Sequence, residues 1–370
     1  MNILVPNLGS TSLKYQVLEM PSERVLARGR LERVQDYREA VAQIRASDAR
    51  IDAVAFKAVH AGPHYCGTCL IATEVLAAMQ MFLPAAPAHN AIYLLGIQAF
   101  RDSLPGVPLV AAFETEFHAG MPEHAASYGV PSAWREQYGI RRYGFHGASH
   151  RYVAERVPEL LGKPGDSIRL VSCHLGGSSS ICAIERGRSV DTSMGFSPQS
   201  GLENATRCGD LDAFAVLYMM ERRGWTVFEV REQLARGGGL EGLSRVAGGD
   251  VRDIERAAVG GNRDAALALA VLAYEVRKTI GAYAAAMGRL DALAFTGGIG
   301  ENSARLRSDC CAGLGFLGIT LDAVRNEQGS GDRIASQDGA PAAVVVLATN
   351  EELIVARRAY ALLTQRQTAG

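Results

Sequence analysis

Short apolar runs, broken by turns of glycine and hydroxyl residues, open the chain and recur near its middle. Ile3-Leu-Val-Pro leads into Asn7-Leu-Gly9-Ser10-Thr-Ser12, and the alternating segment Leu13-Lys14-Tyr-Gln-Val17 follows. Leu170-Val-Ser-Cys leads into His174-Leu175-Gly176-Gly177-Ser178-Ser179-Ser180, and Ile181-Cys-Ala-Ile follows. Strand, small-residue turn, strand predicts a β-hairpin each time. Two such hairpins about half a chain apart read either as a duplicated domain or as unrelated hairpins with ordinary turns. Duplication would place a ligand site between the halves, because clefts between domains commonly hold ligands.

Helical periodicity lies between the strands. Leu211 to Arg223 is amphipathic behind an acidic start at Asp210 and Asp212. Asn262 to Leu290 reads as one long, mostly apolar helix with Gly281 as a candidate break. Asp291 to Phe295 reads as a buried strand, followed by a loop from Gly297 to Ser303 and another helix. Ala342 to Ala348 is the last expected strand, and a terminal helix begins near Asn350. The mixture predicts an α/β architecture.

The 370 residues, 48% of them hydrophobic, suffice for two cores, and a formal net charge of −1 gives no general attraction to nucleic acid or anionic membranes. The start, Asn2 to Val5, is a short apolar strand rather than a basic leader, so a secretory signal is not expected. The most apolar helical stretch, Ala265 to Tyr274, is about ten residues long and runs into Glu275, Arg277 and Lys278, too short and charged for a bilayer. Seven cysteines, with Cys310 and Cys311 adjacent, are no disulfide framework and suit a reducing cytoplasm. Cys66 and Cys69 form one CxxC without the second pair zinc would need.

Three small-residue loops follow apolar strands: Asn7 to Ser12, His174 to Ser180 and Gly297 to Ser303. Glycine lets successive backbone N–H groups approach an anion, and a helix N-terminus favours one. None matches the GxxxxGK[ST] or GxGxxG pattern, and any one alone is as readily a tight turn. Three in one chain point towards a nucleotide, with Ser10 and Ser12 in the first phosphate loop. Lys14 either faces that phosphate or is a solvated lysine on an edge strand.

Longer motifs occur in order: Asn7-x-Gly9-Ser10-x-Ser12-x-Lys14, Val59-His60-x-Gly62, His89-Asn90, Phe117-His118-x-x-Met121-Pro122, Tyr143-Gly-Phe145-His146-Gly-x-Ser149-His150, Asp191-Thr-Ser-Met-Gly195-Phe196, Thr206-Arg207-Cys-Gly209-Asp210, Phe295-Thr-Gly-Gly-Ile-Gly-Glu-Asn302 and Thr349-Asn-Glu-Glu352. They resemble the acetate kinase family, including propionate and butyrate kinases, over nearly the whole chain, with the segment between Met20 and Ile51 shortened. The resemblance implies a duplicated actin/hexokinase-like (ribonuclease H-like) α/β fold with an interdomain cleft. The expected lobes are residues 1–148 and 149–350, with a terminal helix of about 351–370 packing back on the first. It further implies transfer of a phosphoryl group between ATP/ADP and a short-chain carboxylate or acyl phosphate, Mg2+ (or Mn2+) as cofactor, and a homodimer in the cytoplasm.

By that resemblance Arg207, His146 and Glu114 are the catalytic residues, the guanidinium bridging phosphoryl oxygens and the imidazole donating to them. Arg207 could otherwise be a surface ion pair with Asp210 or Asp212. Asn7 and Glu351 match the metal-associated positions, with Glu352 one residue out of register. Lys57, Val59, Ala88, Phe145 and Pro198 match the substrate pocket. Lys14, His174, Leu175, Gly176, Gly177, Ser178, Asp250, Val251, Arg252, Gly298, Ile299, Gly300, Glu301 and Asn302 match the nucleotide site. His60 and His89 match other histidines near the site, while His150, four residues after His146, is expected to be structural.

The chain departs from the family at several of these positions. Lys57 stands for an arginine and loses bidentate geometry. Glu114 stands for an aspartate, one methylene longer; Gly177 stands for an asparagine, and Ala205 for a glycine. Ala88 stands where many members have leucine, leaving room for a longer acyl chain at about 0.8 kcal/mol per buried CH₂. These changes keep a second expectation in play, a catalytically weakened sensor of nucleotide or acyl phosphate; a third is a kinase using another donor such as pyrophosphate, against which the retained Gly297-Gly298-Ile-Gly300, with room for adenosine, argues.

Overall fold

A computed structural model describes residues 1–9, 11–45, 50–329 and 331–368, with the side chain of Ala88 and those from 366 onward also outside the description. Ser10 therefore lies outside the described residues. The strands are β1 (Asn2–Leu8), β2 (Ser12–Glu19), β3 (Arg24–Glu32), β4 (Ala53–Ala58), β5 (Thr68–Leu70) and β6 (Leu109–Phe113), then β7 (Arg169–His174), β8 (Ser180–Glu185), β9 (Arg188–Thr192), β10 (Ala292–Thr296), β11 (Arg333–Ile334) and β12 (Ala343–Val346).

They form two six-stranded sheets, ordered β3-β2-β1-β4-β6-β5 and β11-β12-β10-β7-β8-β9. Reversing the second order superposes the two patterns strand for strand. Each opens with an antiparallel meander, β1-β2-β3 or β7-β8-β9, continues with two parallel strands, β4 and β6 or β10 and β12, and ends on a short antiparallel edge. The repeated hairpins are therefore the first two strands of a duplicated, actin/hexokinase-like unit.

The central strands are apolar on consecutive residues because helices cover both sheet faces. In β1, Leu4 enters one core with Phe56, Ile97 and Phe100, while Ile3 and Val5 pack against Ile354, Val355 and Ala359 of the terminal helix Glu351–Thr368. In β10, Leu293 and Phe295 face the long helix Arg263–Met287, while Ala292 and Ala294 lie in the cluster containing Val153 and Val157 of the helix Gly147–Leu161. Tyr152 touches both of the latter clusters, so the helices at 147–161 and 351–368 join the sheets in the middle of the molecule.

Two local expectations change. The long helix runs unbroken from Arg263 to Met287. Gly281 sits in open space, where a glycine costs a little helix propensity but forces no kink. The segment at Gly297–Asn302 is a short helix rather than a loop, and Ser303 caps the next helix, its Oγ accepting from Leu306 N. Gly297 makes this tight strand-to-helix turn at φ +79°, where a Cβ would lie 2.6 Å from the Leu175 carbonyl.

Candidate active site

Strand register places the first charged group. β4 runs parallel to β6, pairing Lys57 with Ala112, and Glu114 N continues the ladder by donating to Ala58 O at 2.8 Å. Lys57 and Glu114 thus leave adjacent strand ends, Nζ lying 4.0 Å from the Glu114 carboxylate. The β1–β4 register, Ile3 with Ala53 and Leu4 with Val54, directs Asn7 towards the same end. From the far end of the chain, Glu351 opens the terminal helix, and its carboxylate accepts a hydrogen bond from the Lys57 ammonium. Glu352 lines a separate groove with Lys14, Tyr15, Gln16, Arg28, Gly29 and Arg30. Glu351, not its neighbour, therefore faces the site, and Lys14 faces neither Glu351 nor the cavity described below.

One ammonium between two buried carboxylates produces unequal acids. Burial alone would lower Lys57, but Glu351 and then Glu114 outweigh it and hold the amine well above its ordinary value. Burial, then repulsion from Glu351, pushes Glu114 up to about 7 against the pull of Lys57. Burial also works against ionised Glu351, but Lys57 and His174 overcome it and lower its pKa. Glu114 Oε1 is buried without a hydrogen-bond partner among the described residues.

A tight backbone contact brings His146 beside these groups. Gly147 N donates to Glu114 O at 3.0 Å, and a Cβ on Gly147 would stand 2.2 Å from that oxygen. The residue before it turns into the helix Gly147–Leu161 at φ +55°, a conformation uncommon for a non-glycine residue. His118 holds the approach, its Nε2 lying 3.0 Å from Phe145 O. His146 Nδ1 lies 2.8 Å from Ser180 Oγ, and its ring stacks at 4.4 Å and 31° on His174. His174 Nδ1 lies 2.8 Å from Ser149 Oγ. Burial, then the neighbouring His174 and His150, hold the His146 pKa well below the ordinary histidine value, so its resting ring is neutral.

Arg207 reaches the same place from the loop after β9. Its Nη2 donates to Ser178 Oγ and, at 3.3 Å, to Asn204 Oδ1, while Nη1 is buried with no partner among the described residues. Burial lowers its pKa to about 10. The sequence alternative of an ion pair is not what forms. Asp210 accepts instead from Gly201 N at 2.7 Å, and Asp212 caps the helix Ala213–Arg223. Both Arg207 and Lys57 bear electrostatically on His146 and on His89, whose pKa falls to about 4 mainly through burial. Lys57, Glu114, His146, His174, Arg207 and Glu351 therefore share one neighbourhood.

A cavity and a buried apolar wall flank this cluster. The cavity, of about 680 Å³, is lined by Gly176, Gly177, Asp250, Val251, Arg252, Gly298, Ile299 and Asn302, with Ala205, Gly248, Gly249, Glu255 and Ser303 completing its lining. Asp250 caps the helix Val251–Val259 and pairs with Arg252 at 2.6 Å on the rim. Leu175 is buried core beneath the cavity, and Ser178 turns to Arg207. Gly300 and Glu301 lie behind it, their carbonyls accepting from Arg307 at 2.8 and 2.9 Å. On the other flank, Val59, Phe145 and Pro198 are buried. His60 sits there among Phe82, Tyr143, Phe145 and Phe196, with ring centroids 4.6 to 6.0 Å away.

Sequence reasoning missed Ser149, Ser172, Ser180, Asn204 and Phe82. A signal was present for the serines. Ser172 and His174 share one face of a strand at spacing two, and His146, Ser149 and His150 share one face of a helix at spacings three and four.

Duplicated sheets, a glycine-walled cavity and a buried cation cluster define a phosphotransferase of the actin/hexokinase-like class. The comparisons with known proteins narrow this. The Acetokinase family pattern matches residues 36–357, and the chain belongs to that family. It is 41% identical over 392 residues to the acetate kinase of Caldanaerobacter subterraneus subsp. tengcongensis, covering 96% of this chain and 98% of that one. It is 43% identical over 386 residues to the propionate kinase of Citrobacter rodentium, covering 96% and 95%. The crystal structure of Porphyromonas gingivalis acetate kinase superposes with a TM-score of 0.88 at 36% identity, covering 98% of this chain and 99% of that one. Among the described residues no helix is long and apolar enough to cross a membrane.

Proposed function

We propose that the chain transfers the γ-phosphoryl group of ATP directly and reversibly to the carboxylate of acetate or propionate. The observation that carries this is the buried Arg207 guanidinium, which among the described residues has no carboxylate partner and one nitrogen without any hydrogen bond. A desolvated cation with an unused donor suits an anion that arrives during turnover. Arg207 spans the oxygens of the migrating group, and neutral His146 donates to one of them. Lys57 screens the acceptor carboxylate, while Val59, Phe145 and Pro198 receive its alkyl end. The cavity walled by Gly176, Gly177, Gly298 and Ile299 takes the nucleotide, with Asp250, Val251 and Arg252 at the adenosine.

The donor set fits a hard divalent cation. Among the described residues no group of three or more His, Cys, Asp or Glu side chains is arranged to hold a metal. Two buried carboxylates nonetheless share a single lysine, and one oxygen of Glu114 is unpartnered. Mg2+ tolerates few protein ligands when phosphates and water supply the rest, so Glu351 and Asn7 would hold it. When bound, the cation neutralises phosphate charge.

A hydroxamate assay for acyl phosphate, run with ATP, Mg2+ and a series of short acids, tests this reading. Activity with propionate is expected to equal or exceed that with acetate, given alanine at position 88. A tenfold preference for acetate would remove the specificity claim, and no product with any acid would remove the activity.

The finer assembly reading is a homodimer through the helices Ala213–Arg223 and Val227–Arg236. They present Phe214, Tyr218, Val227 and Phe228 at 77%, 62%, 63% and 69% exposure, beside Leu211 and Leu217. Contiguous apolar surface of this kind marks interfaces. Light scattering on Phe214→Asp combined with Phe228→Asp is expected to show a monomer where the parent is a dimer. A parent that is monomeric, or a dimeric double variant, would exclude this face.

A further inference from the structure

The transfer proposed above, on which this inference rests, needs His146 to present a hydrogen rather than a lone pair to a phosphoryl oxygen. A neutral imidazole carries its hydrogen on either nitrogen, and the partner of the other nitrogen decides which. His146 Nδ1 is occupied by Ser180 Oγ at 2.8 Å, leaving Nε2 for the cleft. The chain of contacts continues inward. Ser180 Oγ lies 2.8 Å from His150 Nε2, and His150 Nδ1 lies 2.9 Å from Ser172 Oγ. All three inner residues are fully buried, so water does not arbitrate the hydrogens.

Each serine hydroxyl has one hydrogen, and Ser180 accepting from both rings would strand its own in a buried site, so the chain runs in one of two directions. In the first, Ser172 O–H donates to His150 Nδ1, His150 Nε2–H donates to Ser180, and Ser180 O–H donates to His146 Nδ1. The hydrogen of His146 is then on Nε2. In the second, every bond is reversed, Nε2 of His146 is bare, and Ser172 must give its hydroxyl hydrogen elsewhere. Among the described residues the only side-chain partner of Ser172 is His150. The reversed chain would leave a buried hydroxyl hydrogen without an acceptor, which is costly. A charged His150 would permit other arrangements, but burial and the neighbouring His118 and His174 keep that ring neutral.

We propose that Ser172, His150 and Ser180 form a one-way hydrogen-bond relay that holds His146 as its Nε2–H tautomer for the migrating phosphoryl group. They are positioning residues acting through His146. The relay ties a helix to a sheet, since His146 caps the helix Gly147–Leu161, which carries His150, while Ser172 and Ser180 lie on β7 and β8. Nucleotide-side strands thereby orient the transfer group.

The test is a two-dimensional ¹⁵N spectrum of the full chain carrying labelled histidine, eight residues in all, near neutral pH. His146 and His150 are expected to show protonated Nε2 and bare Nδ1. Ser172→Ala touches neither His146 nor the cleft, yet should shift His146 towards a tautomer mixture, as should Ser180→Ala. Turnover falls by the productive fraction lost, roughly two- to tenfold, with KM for ATP and carboxylate unchanged. A wild-type His146 protonated on Nδ1 overturns the relay without any variant being needed. An unchanged His146 signature in both folded serine variants also overturns it. Wild-type protein with the expected tautomers but no acyl phosphate product would instead remove the functional reading alone.

Discussion

Arg207→Ala should lower kcat by on the order of a thousandfold or more, while leaving the melting temperature unchanged or slightly raised. The two halves of this expectation have one cause. In the free protein the guanidinium is desolvated, and its contacts are the neutral oxygens of Ser178 and Asn204. Burial pulls its pKa down to about 10, so the folded state bears a cost that no carboxylate offsets. Truncation removes that cost together with the charge proposed to meet the migrating group. The neighbouring loop keeps its own fastening, because Asn204 Oδ1 also accepts from Ser179 N at 2.7 Å. Arg207→Lys retains the charge but loses the planar fork, and should recover only a small part of the activity. Hydroxamate kinetics and thermal melts on both variants check this. A kcat within tenfold of the parent, or a large drop in melting temperature, would make Arg207 a structural residue.

Lys57→Met has the opposite signature, a large loss of both activity and stability. The lysine is the only cation paired with Glu351 and Glu114 among the described residues. Its removal leaves two buried carboxylates facing each other, at an expected cost of about 3–5 kcal/mol at neutral pH. The sign of the pH dependence follows. In the parent, Glu351 is depressed, so its contribution is present above the unfolded carboxylate pKa and lost as pH falls through the folded value. In the variant both carboxylates are raised, so their folded forms are favoured at low pH and disfavoured as pH rises through the new folded values. The deficit in urea midpoint between parent and variant should therefore be widest above neutrality and shrink in mild acid. A constant deficit across that range would show that packing, rather than the lost charge, is responsible.

Glu114 invites a further comparison. Burial and the Glu351 carboxylate push it up to about 7, whereas Glu351 itself stays ionised against Lys57. Their different distances from one ammonium separate the two acids. Lysine's compact charge docks on one carboxylate and leaves the other at 4.0 Å, where a guanidinium fork could have bridged both.

Much of the fold was legible along the chain, and for stated reasons. Both hairpins read correctly because small-residue turns interrupt short apolar runs, and the long helix was visible in its apolar periodicity. Errors arose where local preference met tertiary space. Gly281 suggested a break, but no neighbour presses on it, and the helix continues. Gly297 to Asn302 looked like a loop because of its glycines. Those glycines instead allow a helical turn to press against the Leu175 backbone. Of the residues expected at the nucleotide, Gly176, Gly177, Asp250, Val251, Arg252, Gly298, Ile299 and Asn302 do share one cavity. Gly300, Glu301 and Lys14, named with them, face elsewhere.

What the amino-acid order determined by itself was the periodicity of the elements, the duplicated hairpin and the inventory of cations, carboxylates and imidazoles. These are local properties, written within a few residues of one another. Only the tertiary structure decided which of two adjacent glutamates meets Lys57, a contact across 294 positions of sequence. It also decided that Arg207 has no counter-ion among the described residues and that Ser172 and Ser180 sit within hydrogen-bond distance of His150, and Ser180 of His146. Such outcomes depend on how sheet registers and helix docking bring distant side chains into one dry volume, where the absence of water makes each missing or present partner count.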